Sequence, residues 1–282
     1  MSRTPAPANG RRFQKRLLFA VAPLAVVLSG CSSKDIPTML GIPNPATKQA
    51  QITHNLWQGS WVALWAVGAL VWGLIIWSVI AYRKRSDALP KQTRYNIPIE
   101  LMYTVVPIMI VGVMLVFTIR DESTITKLSA NPDVTVNVIG FRWSWTFNYV
   151  DENVYDVGSP TQLPTLYLPE GETVRFKLDS PDVIHSFWVP AFLMKMDVIP
   201  GRTNQFEITP TKVGEFAGKC AELCGVDHSR MLFNVKVVSP QDFQAHIESL
   251  RAAGQTGQLI TGRIDTNATG DKQGRTTIGG NQ

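Results

Sequence analysis

The sequence predicts a membrane-anchored α+β chain: a two-helix transmembrane hairpin followed by an all-β barrel or sandwich. Three observations carry that reading. Two apolar runs, residues 61–82 and 97–119, have membrane length and end in charge. From Asn131 the pattern changes to short stretches of alternating apolar and polar residues, broken by Gly, Pro, Asn and Asp. The 282 residues are 45% hydrophobic and only 17% charged, which is low for a wholly soluble surface.

At the amino end, Arg11-Arg12 and Lys15-Arg16 precede an apolar run from Leu17 to Leu28, followed by Ser29-Gly30-Cys31. A basic stretch, a short apolar core and small residues before a cut describe a secretory signal over residues 1–30. The run is too short to cross about 30 Å of hydrocarbon. Cysteine directly after Leu-Ser-Gly resembles a bacterial lipobox, which implies that Cys31 is the lipid-modified first residue of the mature chain. The alternative is a plain signal anchor with an incidental cysteine. Residues 31–56 are expected to form an outer linker.

The hairpin is expected over residues 57–120, with spans at about 61–82 and 97–119. The first span has 22 residues and no charge, about 33 Å of helix. The second carries one charge, Glu100. The loop between them holds Arg83, Lys84, Arg85, Lys91 and Arg94 against Asp87 alone, so it should face the cytoplasm and leave both mature ends outside. Glu100 allows two readings: a side chain that snorkels to the interface, or a group on a proton path, because intramembrane carboxylates usually face a partner or water. Pro107, in mid-span, is expected to kink its helix.

The formal net charge of +5 suggests a nucleic-acid partner, but its distribution removes that reading. The positive charge lies in the signal and in the hairpin loop. Residues 121–252 hold 17 acidic against 11 basic residues, and no basic stripe remains there to track phosphates.

Alternation marks strands at Val134–Ile139, Trp143–Phe147, Thr165–Leu168, Thr173–Leu178, Val183–Val189, Gln205–Ile208 and Phe233–Val237. Patterns this short read as an antiparallel sandwich or barrel, placed at residues 121–252. Ser239-Pro240-Gln241-Asp242 has the form of a helix start, with Pro at the first position and an acid at the third, and a helix should run to about Ala252. Residues 253–282 are rich in Gly, Thr, Asn and Gln and are expected to be a disordered polar tail.

Two of the three cysteines lie in Cys220-Ala-Glu-Leu-Cys224-Gly-Val-Asp-His228-Ser-Arg-Met231. His185 lies 35 residues before Cys220 at the start of an expected strand. Thiolate with imidazole selects copper or zinc, and an added thioether favours copper electron transfer. One Cys, two His and a Met would suit a single copper. A second Cys lets two thiolates bridge two metals, which spreads the charge change of one-electron transfer. A disulfide between the two Cys is the competing reading outside the cytoplasm. A helix would also place the four groups on one face, but Gly214, Gly218 and Gly225 interrupt the segment. His54 and His246 have no such neighbours and are expected at the surface or an interface.

Over residues 50–252 the chain resembles bacterial cytochrome c oxidase subunit II. The motifs that carry the resemblance are Phe141-Arg-Trp143-Ser-Trp145, Val183-Ile-His185-Ser-Phe-Trp-Val-Pro190, Lys195-Met-Asp-Val-Ile-Pro-Gly-Arg202 and the Cys220–Met231 loop. The resemblance implies a cupredoxin-like Greek-key barrel or sandwich. It also implies that His185, Cys220, Cys224, His228 and Met231, with the backbone carbonyl of Glu222, bind two copper ions as the dinuclear CuA centre. It places the Glu222 side chain near a magnesium or manganese ion at the interface with the large catalytic subunit. It makes Trp143, otherwise a core tryptophan, the acceptor of electrons from cytochrome c, and puts Glu100 near the mouth of a proton path. The implied partners are the large haem-copper subunit (subunit I), other oxidase subunits, a free or membrane-bound cytochrome c, and lipid. The implied location is the bacterial cytoplasmic membrane, with the copper domain on its outer face.

On this reading the chain is an enzyme subunit whose oxygen-reducing, proton-pumping centre lies elsewhere. Asp179, Asp182, Asp197 and Glu215 are candidate docking charges for a cationic cytochrome, each equally readable as ordinary solvated surface. Three rivals fit less well. A copper chaperone would place its Cys pair early in a thioredoxin-like domain. The quinol-oxidase counterpart lacks the copper ligands. A nitrous-oxide reductase copper domain lacks the hairpin and the Glu between the cysteines.

Overall fold

The computed structural model describes residues 41–90, 92–159 and 161–259. The signal segment, Cys31 and the tail beyond Leu259 lie outside the described residues.

Helix α1 (Lys48–Ala81) starts inside the expected linker, nine residues before position 57. Thr47 caps it, its hydroxyl accepting from the Ala50 N–H at 3.0 Å. Its 34 residues span about 51 Å, more than a hydrocarbon core needs. The excess is used against the β domain: Ala46, Thr47, Ala50 and His54 are buried, whereas the apolar residues beyond are exposed. Trp57, Trp61 and Trp65 pack one turn apart, with ring centroids 5.8 and 5.9 Å apart. Trp77 packs edge-on to Tyr82 at the other end. Aromatic groups at both ends of a span suit the two headgroup levels.

Helix α2 (Ile97–Ile125) runs unbroken through Pro107. Asn96 caps it and accepts from the Ile99 N–H at 3.5 Å. In return, the Glu100 carboxylate accepts from the Asn96 backbone N–H at 2.9 Å. Both helices are long and apolar enough to cross a membrane.

Ten strands follow: β1 (Val134–Phe141), β2 (Ser144–Tyr149), β3 (Val154–Val157), β4 (Thr165–Pro169), β5 (Val174–Asp179), β6 (His185–Val189), β7 (Met194–Val198), β8 (Asn204–Ile208), β9 (Gly214–Cys220) and β10 (Leu232–Val238). They form two five-stranded sheets, ordered β3-β2-β1-β5-β8 and β4-β10-β9-β6-β7. The expected sandwich is therefore present, but it is not wholly antiparallel. Strand β1 pairs parallel with β5, and β4 with β10. Strands β3, β7 and β9 are additional to the expected ones; β3 and β9 carry no clean apolar alternation, whereas β7 (Met-Lys-Met-Asp-Val) does.

The inner faces meet in an aromatic core. Trp145, Phe147, Phe176, Phe187, Phe206 and Phe233 are buried there, and the Phe187 and Phe233 rings stack at 4.9 Å. Each fully buried large apolar side chain contributes roughly 1.5–3 kcal/mol. Gly218 in β9 is fixed by this packing: a Cβ there would lie 2.1 Å from the Phe233 ring.

Helix α3 (Pro240–Ala252) forms where the sequence places it, with Ser239 accepting from the Asp242 N–H at 3.1 Å. Phe243, Ile247 and Leu250 bury its apolar side. The chain beyond it is fixed to the edge strand as far as Leu259. The Tyr155 N–H donates to the Gln255 carbonyl at 3.0 Å, and the buried Asn148 amide holds both the N–H and the carbonyl of Leu259. Residues 253–259 thus cover the open edge of β3, a usual way to blunt strand pairing with other chains.

Candidate metal centre

Three neighbouring strands, β10, β9 and β6, bring the sulfur and imidazole groups to one end of the second sheet. His185 opens β6, Cys220 closes β9, and Met231 immediately precedes β10. Phe187 of β6 pairs directly with Cys220. The Ala221 N–H donates to the Ser186 carbonyl and the Cys220 N–H to the Met231 carbonyl, each at 3.0 Å. These bonds close the Cys220–Met231 loop, whose short helical turn His228–Arg230 carries the second imidazole.

The donor atoms form a chain. Cys220 Sγ lies 3.9 Å from His185 Nδ1 and 3.9 Å from Cys224 Sγ. Cys224 Sγ lies 3.6 Å from His228 Nδ1 and 3.7 Å from Met231 Sδ. The Glu222 carbonyl lies 3.2 Å from Cys220 Sγ. His185, Cys220 and Cys224 place their donor atoms within 4.8 Å of one another, and His228 joins through Cys224. The sulfurs are far outside the roughly 2.05 Å of a disulfide, and both cysteines are free and buried. The edges of a tetrahedron with metal–ligand bonds of about 2.0–2.3 Å are roughly 3.3–3.8 Å, so these separations, at or just above that range, suit soft donors gathered for metal binding.

The electrostatics of the pair are uneven. Burial raises the Cys220 thiol, but hydrogen bonds from His185 and from the backbone outweigh it and bring it down to about 6. Burial and the neighbouring Cys220 charge push Cys224 up to about 12. Two thiolates this close resist sharing negative charge, and a bound cation is the natural counter-charge.

Asp182, expected as a docking charge, has a different place. Its Oδ1 lies 2.9 Å from His185 Nε2, and its Oδ2 accepts from the backbone N–H and side chain of Arg142. Burial raises this carboxyl, but its bonds to His185 and the backbone bring it down to about 2. Two of the other three acids are also engaged through their side chains. Asp179 accepts from the Thr203 hydroxyl, Glu215 pairs with Lys236 at 2.7 Å, and Asp197 lines a surface cleft with Lys195 and Arg202. On the loop that carries the sulfurs, Leu223 is 78% and Val226 87% exposed, beside the exposed Glu222. The Asp-x-x-His spacing was the signal that could have assigned Asp182.

Trp143 is half-buried against the loop, its indole N–H donating to the Cys224 carbonyl at 3.3 Å. Gly225, at φ +126°, packs tightly on this ring: a Cβ there would lie 3.1 Å from it. Trp145 lies deeper and donates to the Met231 carbonyl. Glu222 points its carboxylate to solvent, and among the described residues no second acid joins it in a metal-sized group. Glu100 sits in the first turn of α2, remote in sequence from these strands. Neither remaining histidine is a surface group: His54 is buried in α1, and His246 stacks on Tyr167 at 3.7 Å.

A family profile described as the periplasmic domain of cytochrome c oxidase subunit II matches residues 162–238. A probable cytochrome c oxidase subunit 2 of Streptomyces avermitilis is 49% identical over 95% of this chain and 97% of its own length. The chain belongs to the cytochrome c oxidase subunit II family. The family's subunit 2 of Mycobacterium bovis is 34% identical, covering 90% of this chain and 89% of that protein. A crystal structure of the periplasmic domain of subunit II of cytochrome oxidase from Bradyrhizobium japonicum is 30% identical over 45% of this chain and 99% of that one, with a TM-score of 0.41. As a subunit II, this chain is part of an oxidoreductase complex, and its two apolar helices and β-sandwich are the expected parts.

Proposed function

We propose that this chain is the electron-accepting subunit of a respiratory cytochrome c oxidase, and that His185, Cys220, Cys224, His228, Met231 and the Glu222 carbonyl hold two copper ions. The observation that carries the reading is the order of donors, imidazole–sulfur–sulfur–imidazole, with separations of 3.9, 3.9 and 3.6 Å. Each sulfur has its own imidazole neighbour, His185 beside Cys220 and His228 beside Cys224, so the donor set would suit a pair of soft metal ions better than a single one. When bound, such a pair supplies one-electron transfer from cytochrome c towards haem in the large subunit, where oxygen is reduced and protons are pumped.

The chain's own residues do the positioning. A carboxylate can only accept, so Asp182 keeps the His185 proton on Nε2 and leaves Nδ1 for the metal side. Burial of Cys220, Cys224 and Met231 against Trp145 and Phe233 keeps water from the sulfurs. Trp143 bridges the exposed loop surface and the Cys224 carbonyl, the place for an electron-accepting aromatic. Leu223 and Val226 add an apolar face around it. Glu222 offers one oxygen to a magnesium or manganese ion that would take its other ligands from the partner subunit and water.

The basic loop after α1 supports a cytoplasmic side for the hairpin turn and the outer face for the sandwich. Cys31 is the proposed lipid attachment point, read by mass spectrometry of the mature terminus; an unmodified residue other than Cys31 there would remove it.

The test of the centre is copper stoichiometry with electron paramagnetic resonance on the purified oxidase. Two coppers per chain beyond the copper of the haem-copper subunit, with the unpaired electron shared equally, are expected. Cys224→Ser should abolish the shared signal. One localised copper, or zinc in its place, would sink the reading.

A further inference from the structure

Glu207 is a buried carboxylate that the metal centre does not use. It lies in β8, the edge strand of the first sheet, directly opposite Arg175 of β5. Arg175 Nε donates to it at 2.8 Å. Its other partner comes from the linker leaving α2: the Ser129 N–H and hydroxyl both donate to its two oxygens at 3.0 Å, and the Ser129 carbonyl accepts from Arg175. Every polar group of Ser129 is therefore engaged by this ion pair. Replacing such a pair by apolar residues is often neutral or stabilising, so fold stability alone does not account for it. What the pair adds is a fixed path for the linker.

The other membrane helix is held two residues further along. The Lys48 N–H donates to the Thr209 carbonyl at 3.0 Å, and the Thr209 N–H donates to Gln49 Oε1 at 2.9 Å. Next to these, the Thr211 N–H donates to the Ala46 carbonyl and the Ala46 N–H to the Ala191 carbonyl. Both hairpin ends thus converge on Glu207 and Thr209. Strand β8 follows β7 after a short turn, and Val198 of β7 pairs with His185. A short run of chain links a metal-side strand to the anchor of both membrane helices.

We infer that Glu207, through Arg175 and Ser129, is a positioning residue that sets the sandwich on its membrane helices and so fixes the distance and angle for onward electron transfer. The inference rests on the electron-accepting reading above. Electron transfer falls steeply with separation, and small misplacements in positioned reactions reach effects of about a hundredfold. A change at Glu207 should alter delivery to haem, while the sulfur–imidazole cluster, carried by strands of the other sheet, keeps its donors.

The experiment uses the complete oxidase carrying Glu207→Gln or Ser129→Ala, mixed rapidly with reduced cytochrome c, with copper and haem followed separately. Copper content and electron uptake should match the unmodified complex. Onward transfer to haem should fall on the order of tenfold in Glu207→Gln and less in Ser129→Ala. Unchanged onward transfer in both variants overturns the inference. If Glu207→Gln loses its copper through misfolding, Ser129→Ala decides: slowed delivery supports positioning, and unchanged delivery overturns it. Absence from the unmodified complex of the two coppers assigned to this chain would overturn the electron-accepting reading and this inference together.

Discussion

Asp182 Oδ1 sits 2.9 Å from His185 Nε2, so the carboxylate and the sulfurs occupy opposite edges of one imidazole. The contact turns an apparent surface acid into a support for the metal side of the ring. It also links the centre to Arg142 and hence to the turn that carries Trp143, because Asp182 accepts from both the backbone and the side chain of Arg142.

Asp182→Asn keeps the size and one acceptor but removes the charge and permits the wrong ring proton. Supporting partners of metal-bound histidines are worth about 10–100-fold in metal affinity. Copper titration of the variant should show a loss in that range with the fold retained. Unchanged affinity would make Asp182 a brace for Arg142 alone.

Trp143→Phe removes the indole N–H to the Cys224 carbonyl and part of the aromatic surface on the loop. One neutral hydrogen bond contributes about 1 kcal/mol, too little to lose the site. Copper should stay bound while electron uptake from cytochrome c slows, as read by rapid mixing. Unchanged uptake would leave Trp143 as a packing group for Gly225.

The parts legible in sequence were those where one residue pattern decides the structure. Unbroken apolarity over more than 20 residues has few outcomes but a membrane-length helix. Ser239, Pro240 and Asp242 specify a helix start by local bonding alone. The spacing of Cys220, Cys224, His228 and Met231 likewise marked side chains that the fold brings together. Strand β9 was missed because Gly214-Glu-Phe-Ala-Gly-Lys-Cys has two glycines and no β-branched residue, and Gly218 is there only because Phe233, from the next strand, fills its space. The first turns of α1 carry no apolar run; their helix is visible only once Thr209 and Ala191 supply partners. The parallel pairings join segments distant in sequence, which local alternation cannot report.

Glu100 has a structural duty, accepting from the Asn96 N–H at the start of α2. Glu100→Gln keeps an oxygen for that bond and removes the charge, so it separates capping from proton handling. If Glu100 serves a proton path, turnover with pumping should fall while copper content stays unchanged. Turnover equal to the unmodified enzyme would leave capping as its role. Glu100→Ala should in either case loosen the helix start by about 0.5–1.5 kcal/mol, one hydrogen bond's worth, measurable by hydrogen exchange at Asn96.

His246 gives the domain an acid-sensitive point away from the metal. Its ring stacks on Tyr167 and lies edge-on to Tyr149, and its Nε2 is buried without a hydrogen-bond partner. Burial pushes its pKa from 6.5 down to about 4. The folded domain therefore binds this proton only below about 4, whereas the unfolded chain binds it below about 6.5. The contribution is complete above the unfolded value and is lost as the pH falls through the window between the two. Linkage makes the loss about 2 kcal/mol between pH 7 and pH 5. Tyr149, whose hydroxyl is raised by burial, stays neutral there, and Lys236, 5.9 Å over the Tyr167 ring, stays charged, so neither alters the sign. His246→Phe preserves a stacked ring and has no proton to bind. Thermal unfolding at the two pH values should show a fall for the unmodified chain that exceeds the variant's by this amount. Equal falls would mean that the ring gains water or a partner on protonation, and that α3 packs more loosely over Tyr167 than its 3.7 Å stacking distance requires.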